Sequence, residues 1–101
     1  MKSKVKELFK WSDPKEAQRK AYEYLGKDAD LYVSEKKDKK YDIYDVNNNK
    51  WVSFGQMGFQ DHTRHGDELK RYRYLNRATN MRGDWKDNPY SPNNLSIHIL
   101  W

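Results

Sequence analysis

The chain contains no cysteine, and among its 101 residues it has only five glycines and three prolines. Without cysteine, neither a disulfide framework nor a thiolate zinc site can form. The sequence also lacks a run of about eighteen apolar residues, and its basic start, Met1 to Lys4, is not followed by the apolar stretch of a signal peptide. We therefore expect a soluble, intracellular protein without membrane contact, whose stability comes from packing alone.

Apolar residues are scarce at 36%, but aromatic residues reach 15%. Each buried ring removes about 150 to 250 Å² from water, so aromatic rings can build a small core where Leu, Ile and Val are few. A chain of this length has a single core. We expect one compact domain, in which an N-terminal helical segment (1–27) precedes a β-meander, a helix and a C-terminal tail (28–101).

Two helices are predicted in the N-terminal segment. The first should end near Trp11. Asp13 then stands directly before a proline, and Glu16 follows three residues later, as in a capping box. Gly26 is a typical left-handed stop. The second helix is therefore expected to run from about Pro14 to Leu25.

Three β-type runs follow, at residues 31–33, 40–44 and 51–54. The charged stretch 35–39 separates the first two, and the asparagines at 47–49 suit a tight reversal between the second and third. These signals predict a three-stranded antiparallel meander. The fold class is therefore α+β.

A further helix is predicted from Asp67 to Thr79, with Leu69, Tyr72 and Leu75 on the face that packs on the sheet. A short C-terminal element follows. Ser91 before Pro92 favours a helix there, whereas the alternation from Leu95 to Trp101 would also suit a strand. We prefer the helix.

Lys70, Arg73 and Arg77 share the opposite side of the predicted helix, with Arg71 and Tyr74 at the border. Cations on a rigid helix suit phosphate contacts, and a neighbouring tyrosine could stack on a base. The excess of 20 Lys and Arg over 15 Asp and Glu, a net charge of +5, also favours an acidic partner. Nucleic acid, an acidic protein groove and a merely solvated face all remain open.

Lysine runs offer a second basic surface, either for attraction to an acidic partner without sequence preference or as a solvated loop. They comprise the N-terminal Lys2, Lys4 and Lys6 and the hairpin-connection residues Lys36, Lys37, Lys39 and Lys40.

Asp61, His62, His65 and Asp67 lie close enough in sequence to raise the alternative of a metal site or a histidine-dependent nuclease. His98 is the only other histidine, and nothing in the sequence completes a metal's ligand set. We expect the three imidazoles to be separated, no catalytic residue, no metal and no cofactor.

The tail Ile99, Leu100 and Trp101 is unusually apolar for a chain end. It either closes the domain's own core or docks into a partner protein.

The second half of the chain resembles a family of short uncharacterised proteins of nucleocytoplasmic large DNA viruses, related viruses and phages. The matching residues are Gly58, Phe59, Asp61, Thr63, His65, Asp67, Glu68, Tyr74, Leu75, Arg77 and Pro89 to Leu95, after a Phe-Gly strand end and before a final Trp. Gln60 and His62 depart from the commoner Glu and Phe.

The resemblance implies a viral protein, located in the virion or the host-cell interior. We expect a non-enzymatic, virion-associated structural or binding component, such as a minor capsid protein, that contacts an acidic partner. That partner would be a viral structural protein or the genome. The alternative is a sequence-independent nucleic-acid-binding protein, and a metal-dependent nuclease is less favoured. Host and oligomeric state stay open.

Overall fold

A computed structural model describes residues 2–101 of the chain. Its elements, in chain order, are α1 (Lys2–Trp11), α2 (Pro14–Leu25), β1 (Tyr32–Val33), β2 (Lys39–Asp45), β3 (Lys50–Gln56), α3 (His62–His65), α4 (Glu68–Thr79), a 3-10 helix (Asp84–Asp87), α5 (Pro92–Leu95) and a π-helical segment (Ser96–Leu100). The α+β prediction is confirmed. Within residues 2–101, no helix combines the length and the apolar character that crossing a membrane requires.

The α1–α2 junction is capped as predicted, with one difference. Asp13 accepts hydrogen bonds from the amides of Lys15 and Glu16, at 3.2 and 3.4 Å. Glu16 does not reach back to Asp13, however, and binds Arg19 at 2.6 Å instead. The Asp13 amide donates to Oγ1 of Thr63 at 2.9 Å. A residue of α3 thus completes the cap, which sequence spacing could not indicate.

The three strands form an antiparallel meander in the order β1-β2-β3, as predicted. Tyr41 pairs with Phe54, and Ile43 pairs with Val52, so alternate residues of β2 and β3 enter the core. The reversal between them contains Asn49 at φ 55°, the left-handed conformation that asparagine tolerates.

One continuous core joins the helices to the sheet. The π-helical segment contacts α2, and α5 contacts β3. The core side chains come from the first half of the chain, through β3, and from the C-terminal segment: Leu8, Ala17, Ala21, Ala29, Tyr41, Ile43, Val52, Phe54, Tyr90, Leu95, Ile99 and Leu100.

The C-terminal element is helical, as we preferred, from Pro92 to Leu100. Ile99 and Leu100 are 0% and 1% exposed within the chain's own core. The expectation of a partner-docking tail is therefore wrong for these two residues, because burying them here leaves no apolar surface to offer a partner. Trp101 is half-buried against α4.

Helix α4 is present as predicted, but its expected inner face is wrong for two of the three residues. Leu69 is 57% exposed and Tyr72 is 68% exposed, whereas Leu75 is half-buried. The face turned inward carries Arg71, Tyr74, Leu75 and Ala78, of which only Ala78 is fully buried.

The physical reason for this rotation is the contact with Trp101. The ring of Tyr74 stacks on the Trp101 ring, with centroids 4.3 Å apart and planes 10° from parallel. Arg71 Nε donates to the Trp101 carbonyl at 2.7 Å. A stacked aromatic pair contributes about 0.5 to 1.5 kcal/mol beyond the area that it buries, and this pair selects the face that α4 presents.

We predict that Gly55→Ala destabilises the fold more than Gly58→Ala. Both glycines have positive φ, +82° and +94°, so each substitution adds strain of about 1 to 3 kcal/mol. A Cβ at Gly55 would also lie 3.0 Å from Leu100 Cδ1 and 3.1 Å from Lys40 Cβ, whereas one at Gly58 meets nothing within 4 Å. Overpacking should add about 1 to 3 kcal/mol at Gly55 alone. If urea denaturation shows that the two variants lose equal unfolding free energy, the close packing of Leu100 and Lys40 against Gly55 is contradicted.

Candidate functional site: a basic groove

A groove of about 830 Å³ lies between α4, the end of β3 and the C-terminal segment. Its volume falls within the range of roughly 300 to 1,000 Å³ found for ligand clefts. The cationic residues that line it are Lys39, Lys40, Lys70, Arg73 and Arg77, and the larger apolar and aromatic ones include Phe54, Phe59, Tyr74, Met81, Trp85, Leu100 and Trp101. Among the described residues, none of those that line the groove is Asp or Glu.

The cationic wall is formed by the basic stripe Lys70, Arg73 and Arg77. All three are exposed, as their helical spacing predicted, and none has a salt bridge among the described residues. Like charges three and four positions apart on a helix destabilise it by a few tenths of a kcal/mol per pair. The stripe therefore concentrates uncompensated positive charge on one side of the groove.

Arg71 and Tyr74, predicted at the border of this stripe, have a different position. Both contact Trp101, and burial raises the pKa of Tyr74 above its ordinary value. Tyr74 still lines the groove, but its ring face is occupied by Trp101. These two residues hold α4 against Trp101 and are less exposed than the stripe.

The apolar side of the groove is the part that the sequence did not assign to a site. Phe59 is 68% exposed and Met81 is 52% exposed, although both are large apolar side chains. Trp85 lies beside Met81 and donates from Nε1 to its carbonyl at 3.0 Å. The sequence signals were the position of Phe59 in a glycine-containing loop after β3 and its place among the residues that match the resembling family.

The prediction that Lys40 belongs to a basic surface for an acidic partner is wrong, because the residue is only 2% exposed. Its ammonium donates to Asp61 Oδ2 at 3.0 Å, to the Phe59 carbonyl at 2.6 Å and to the Trp11 carbonyl at 3.4 Å. Burial lowers the pKa of Lys40, and the charge of Asp61 opposes that shift. Lys40 therefore acts as a structural anchor and is unavailable to an outside partner.

The other lysines of the two runs divide between surfaces. Lys39 is half-buried and lines the groove, whereas Lys36 and Lys37 are exposed outside it. Lys4 Nζ donates to the Lys36 carbonyl, which brings the N-terminal run beside the hairpin connection. Lys6 is exposed, and the side chain of Lys2 lies outside the described part of the structure.

Each of the three histidines has a contact within the fold, although Nε2 of His65 is buried without a hydrogen-bond partner among the described residues. His62 Nε2 lies 2.6 Å from Glu68 Oε2, His65 Nδ1 accepts from the Asp67 amide at 2.9 Å, and the His98 ring stacks on Tyr24 at 4.4 Å. The rings of His62 and His65 are edge to face, 5.9 Å apart. Within residues 2–101, no group of three or more His, Asp or Glu side chains is placed to hold a metal ion.

Residues 29–78 match the model of a family of unknown function, DUF5754. The matched region begins before β1 and ends in α4, so it includes the sheet, Lys40, Asp61, Phe59 and the basic stripe. A search of curated proteins finds no match, and neither does a search of solved structures. The match thus supports an uncharacterised family and assigns no activity.

We predict that acidification below neutral pH destabilises the fold through His65 and His98. Burial, followed by the nearby charges of Lys70 and His62, lowers the pKa of His65 from 6.5. The unfolded chain therefore binds a proton before the folded chain does, so this stability is complete above pH 6.5 and is lost as pH falls through the folded pKa. Burial lowers the pKa of His98 in the same direction.

His65→Asn tests the contribution of His65, because the Asn side-chain oxygen can still accept from the Asp67 amide. Between about pH 7.5 and 5.5, around the ordinary histidine pKa, the variant should lose less unfolding free energy than the parent. His98→Phe keeps an aromatic ring against Tyr24 but removes the titratable group, so it measures the contribution of His98 separately. In both variants, the unfolding free energy from guanidinium denaturation should depend less on pH than in the parent. If the pH dependence is unchanged in both, the two histidines are not its source.

Proposed function

We propose that this protein is a non-enzymatic binding protein whose basic groove binds nucleic acid. The observation that carries the proposal is the pairing of a cationic stripe, which has no salt bridge within the described part of the chain, with large apolar side chains in a groove whose described lining residues include no Asp or Glu. Cations without a salt bridge keep their charge available to a ligand. The groove is lined by none of the three histidines, which favours binding over histidine-based catalysis.

Phosphate groups suit the basic stripe chemically. The guanidinium groups of Arg73 and Arg77 present planar pairs of donors that match phosphate oxygens, and Lys70 adds a point charge. Each neutralised phosphate releases counterions, which gives affinity without sequence preference. The alternative of sequence-independent nucleic-acid binding thus gains support from the geometry of the groove.

The biological setting that we propose is a virion-associated role with viral nucleic acid as the acidic partner. The resemblance to proteins of large DNA viruses supports the setting, and the groove supports nucleic acid over a capsid protein. An acidic protein surface would match the cations, but its side chains offer few flat apolar groups for Phe59 and Met81.

Replacing Lys70, Arg73 and Arg77 together with Gln should weaken nucleic-acid binding and flatten its salt dependence. The slope of log affinity against log salt should fall by up to about 0.9 per lost contact on duplex DNA, or about 0.7 on a single strand. Folding should survive because all three side chains are exposed. Fluorescence anisotropy at several salt concentrations measures the slope.

A charge-matched control is the triple variant with Gln at Lys6, Lys15 and Lys27, which are exposed and lie outside the groove lining. It removes the same net charge but should leave most of the slope intact. If both triple variants flatten the slope equally, the attraction is a general effect of net charge and the groove assignment is wrong.

A second candidate function is a structural role in particle assembly. Tyr32, Tyr44 and Trp51 form an aromatic cluster on the outer face of the sheet, with ring centroids 5.5 and 5.4 Å from Trp51 to the two tyrosines. They are 53%, 39% and 59% exposed, respectively. Clustered exposed rings favour a protein contact, and a second copy of the chain is the simplest partner to test.

If the cluster joins two copies, sedimentation velocity should show concentration-dependent association of the parent. Trp51→Thr should abolish it, because the substitution removes the ring that contacts both tyrosines. Phe9→Thr is the matched control, since Phe9 is 55% exposed and lies outside the cluster. A parent that stays monomeric at high concentration, or equal effects of the two substitutions, would reject self-association through this face.

A further inference from the structure

We propose that the groove selects single-stranded nucleic acid, with phosphates along Lys70, Arg73 and Arg77 and a base stacked on Phe59. This inference rests on the proposed function and specifies its ligand. The groove is lined by two chemically different groups of side chains, the cations of α4 and large apolar side chains that include Phe59 and Met81. A ligand that satisfies both must carry regularly spaced anions and flat apolar faces.

The ring of Phe59 is exposed, but its backbone is held firmly. Its carbonyl accepts from the buried Lys40 ammonium at 2.6 Å. Two residues later the Asp61 amide donates to the Trp11 carbonyl at 3.0 Å, and Gln60 Nε2 donates to the Lys10 carbonyl at 3.1 Å. The chain is thus fixed on both the sheet and the α1 side. An exposed ring on an anchored backbone loses little conformational freedom when a ligand binds.

The length of the basic stripe matches the spacing of phosphates along a nucleic-acid strand. From Lys70 to Arg77 it extends about 10 Å along the helix axis, over which one strand of a duplex passes up to about three phosphates. A strand lying against α4 would have its bases free to turn across the groove towards Phe59. Aromatic side chains beside a positively charged groove form the general pattern of single-strand binding.

Duplex DNA can use only one side of this site. Its phosphates can contact the stripe, but its paired and stacked bases present no free face to Phe59. A single strand can satisfy both sides. Selectivity for single strands therefore depends on Phe59, whereas the attraction shared by all polyanions depends on the stripe.

The test measures anisotropy with labelled oligothymidine of about 16 nucleotides, a duplex of the same length, polyphosphate and polyglutamate. The parent should bind the single strand most tightly. Phe59→Ala should weaken single-strand binding by about 5- to 150-fold and leave duplex and polyphosphate binding unchanged. Phe59→Trp should retain single-strand binding, and Phe9→Ala, an exposed ring outside the groove lining, should leave all four affinities unchanged.

Each alternative outcome overturns a defined part of the proposal. If duplex binds as tightly as the single strand, or if Phe59→Ala reduces both equally or neither, the single-strand inference is wrong while nucleic-acid binding stands. Polyglutamate binding as tight as that of the single strand would indicate an acidic protein partner and overturn both. If the parent binds none of the four probes at low salt, the proposed function itself is wrong.

Discussion

The buried ammonium of Lys40 is the interaction on which the arrangement of this protein depends. An isolated charge inside a protein is very costly, so a buried lysine needs a partner for each of its donors. Lys40 has three, namely the Asp61 carboxylate and the carbonyls of Phe59 and Trp11. Such a pair adds little net stability compared with an apolar contact, but loss of one partner typically costs about 3 to 5 kcal/mol. Its main effect is to determine where the surrounding segments lie.

This single charge connects the N-terminal helices, the sheet and the loop after β3. Asp61, the carboxylate that pairs with Lys40, also caps α3 by accepting from the Thr63 amide at 3.0 Å. The Thr63 hydroxyl in turn accepts from the Asp13 amide at the start of α2. A chain of polar contacts therefore runs from β2 through α3 to the α1–α2 junction. Because Phe59 precedes Asp61 by two residues, the same contacts hold its ring at the groove.

Local signals in the sequence were sufficient for most of the fold. Asp13 with its following proline and Gly26 predicted the bounds of α2, because caps depend only on adjacent residues. The inner face of α4 could not be predicted in this way. Leu69 and Tyr72 have helical spacing, but the face that packs is determined by Trp101, which contacts Arg71 from 30 positions along the chain. Periodicity identifies a helix, and the partner decides its rotation.

In the candidate site, too, the features set by neighbouring residues could be predicted and those set by distant contacts could not. The stripe of Lys70, Arg73 and Arg77 was evident because its members are neighbours on one helix, whereas the role of Phe59 depends on an anchor in β2. Two contacts then set the separation of the groove's sides: Lys40 fixes the Phe59 loop, and the Tyr74–Trp101 stack fixes α4. Since only Ala78 of α4 is fully buried, that helix is held by the aromatic stack together with hydrogen bonds, from Arg71 Nε to the Trp101 carbonyl at 2.7 Å and from Asn93 Nδ2 to the Ala78 carbonyl at 3.1 Å. The width of the groove thus depends on an aromatic contact on one side and a buried charge on the other, and the residues that make these contacts, Tyr74, Trp101 and Lys40, themselves line the groove.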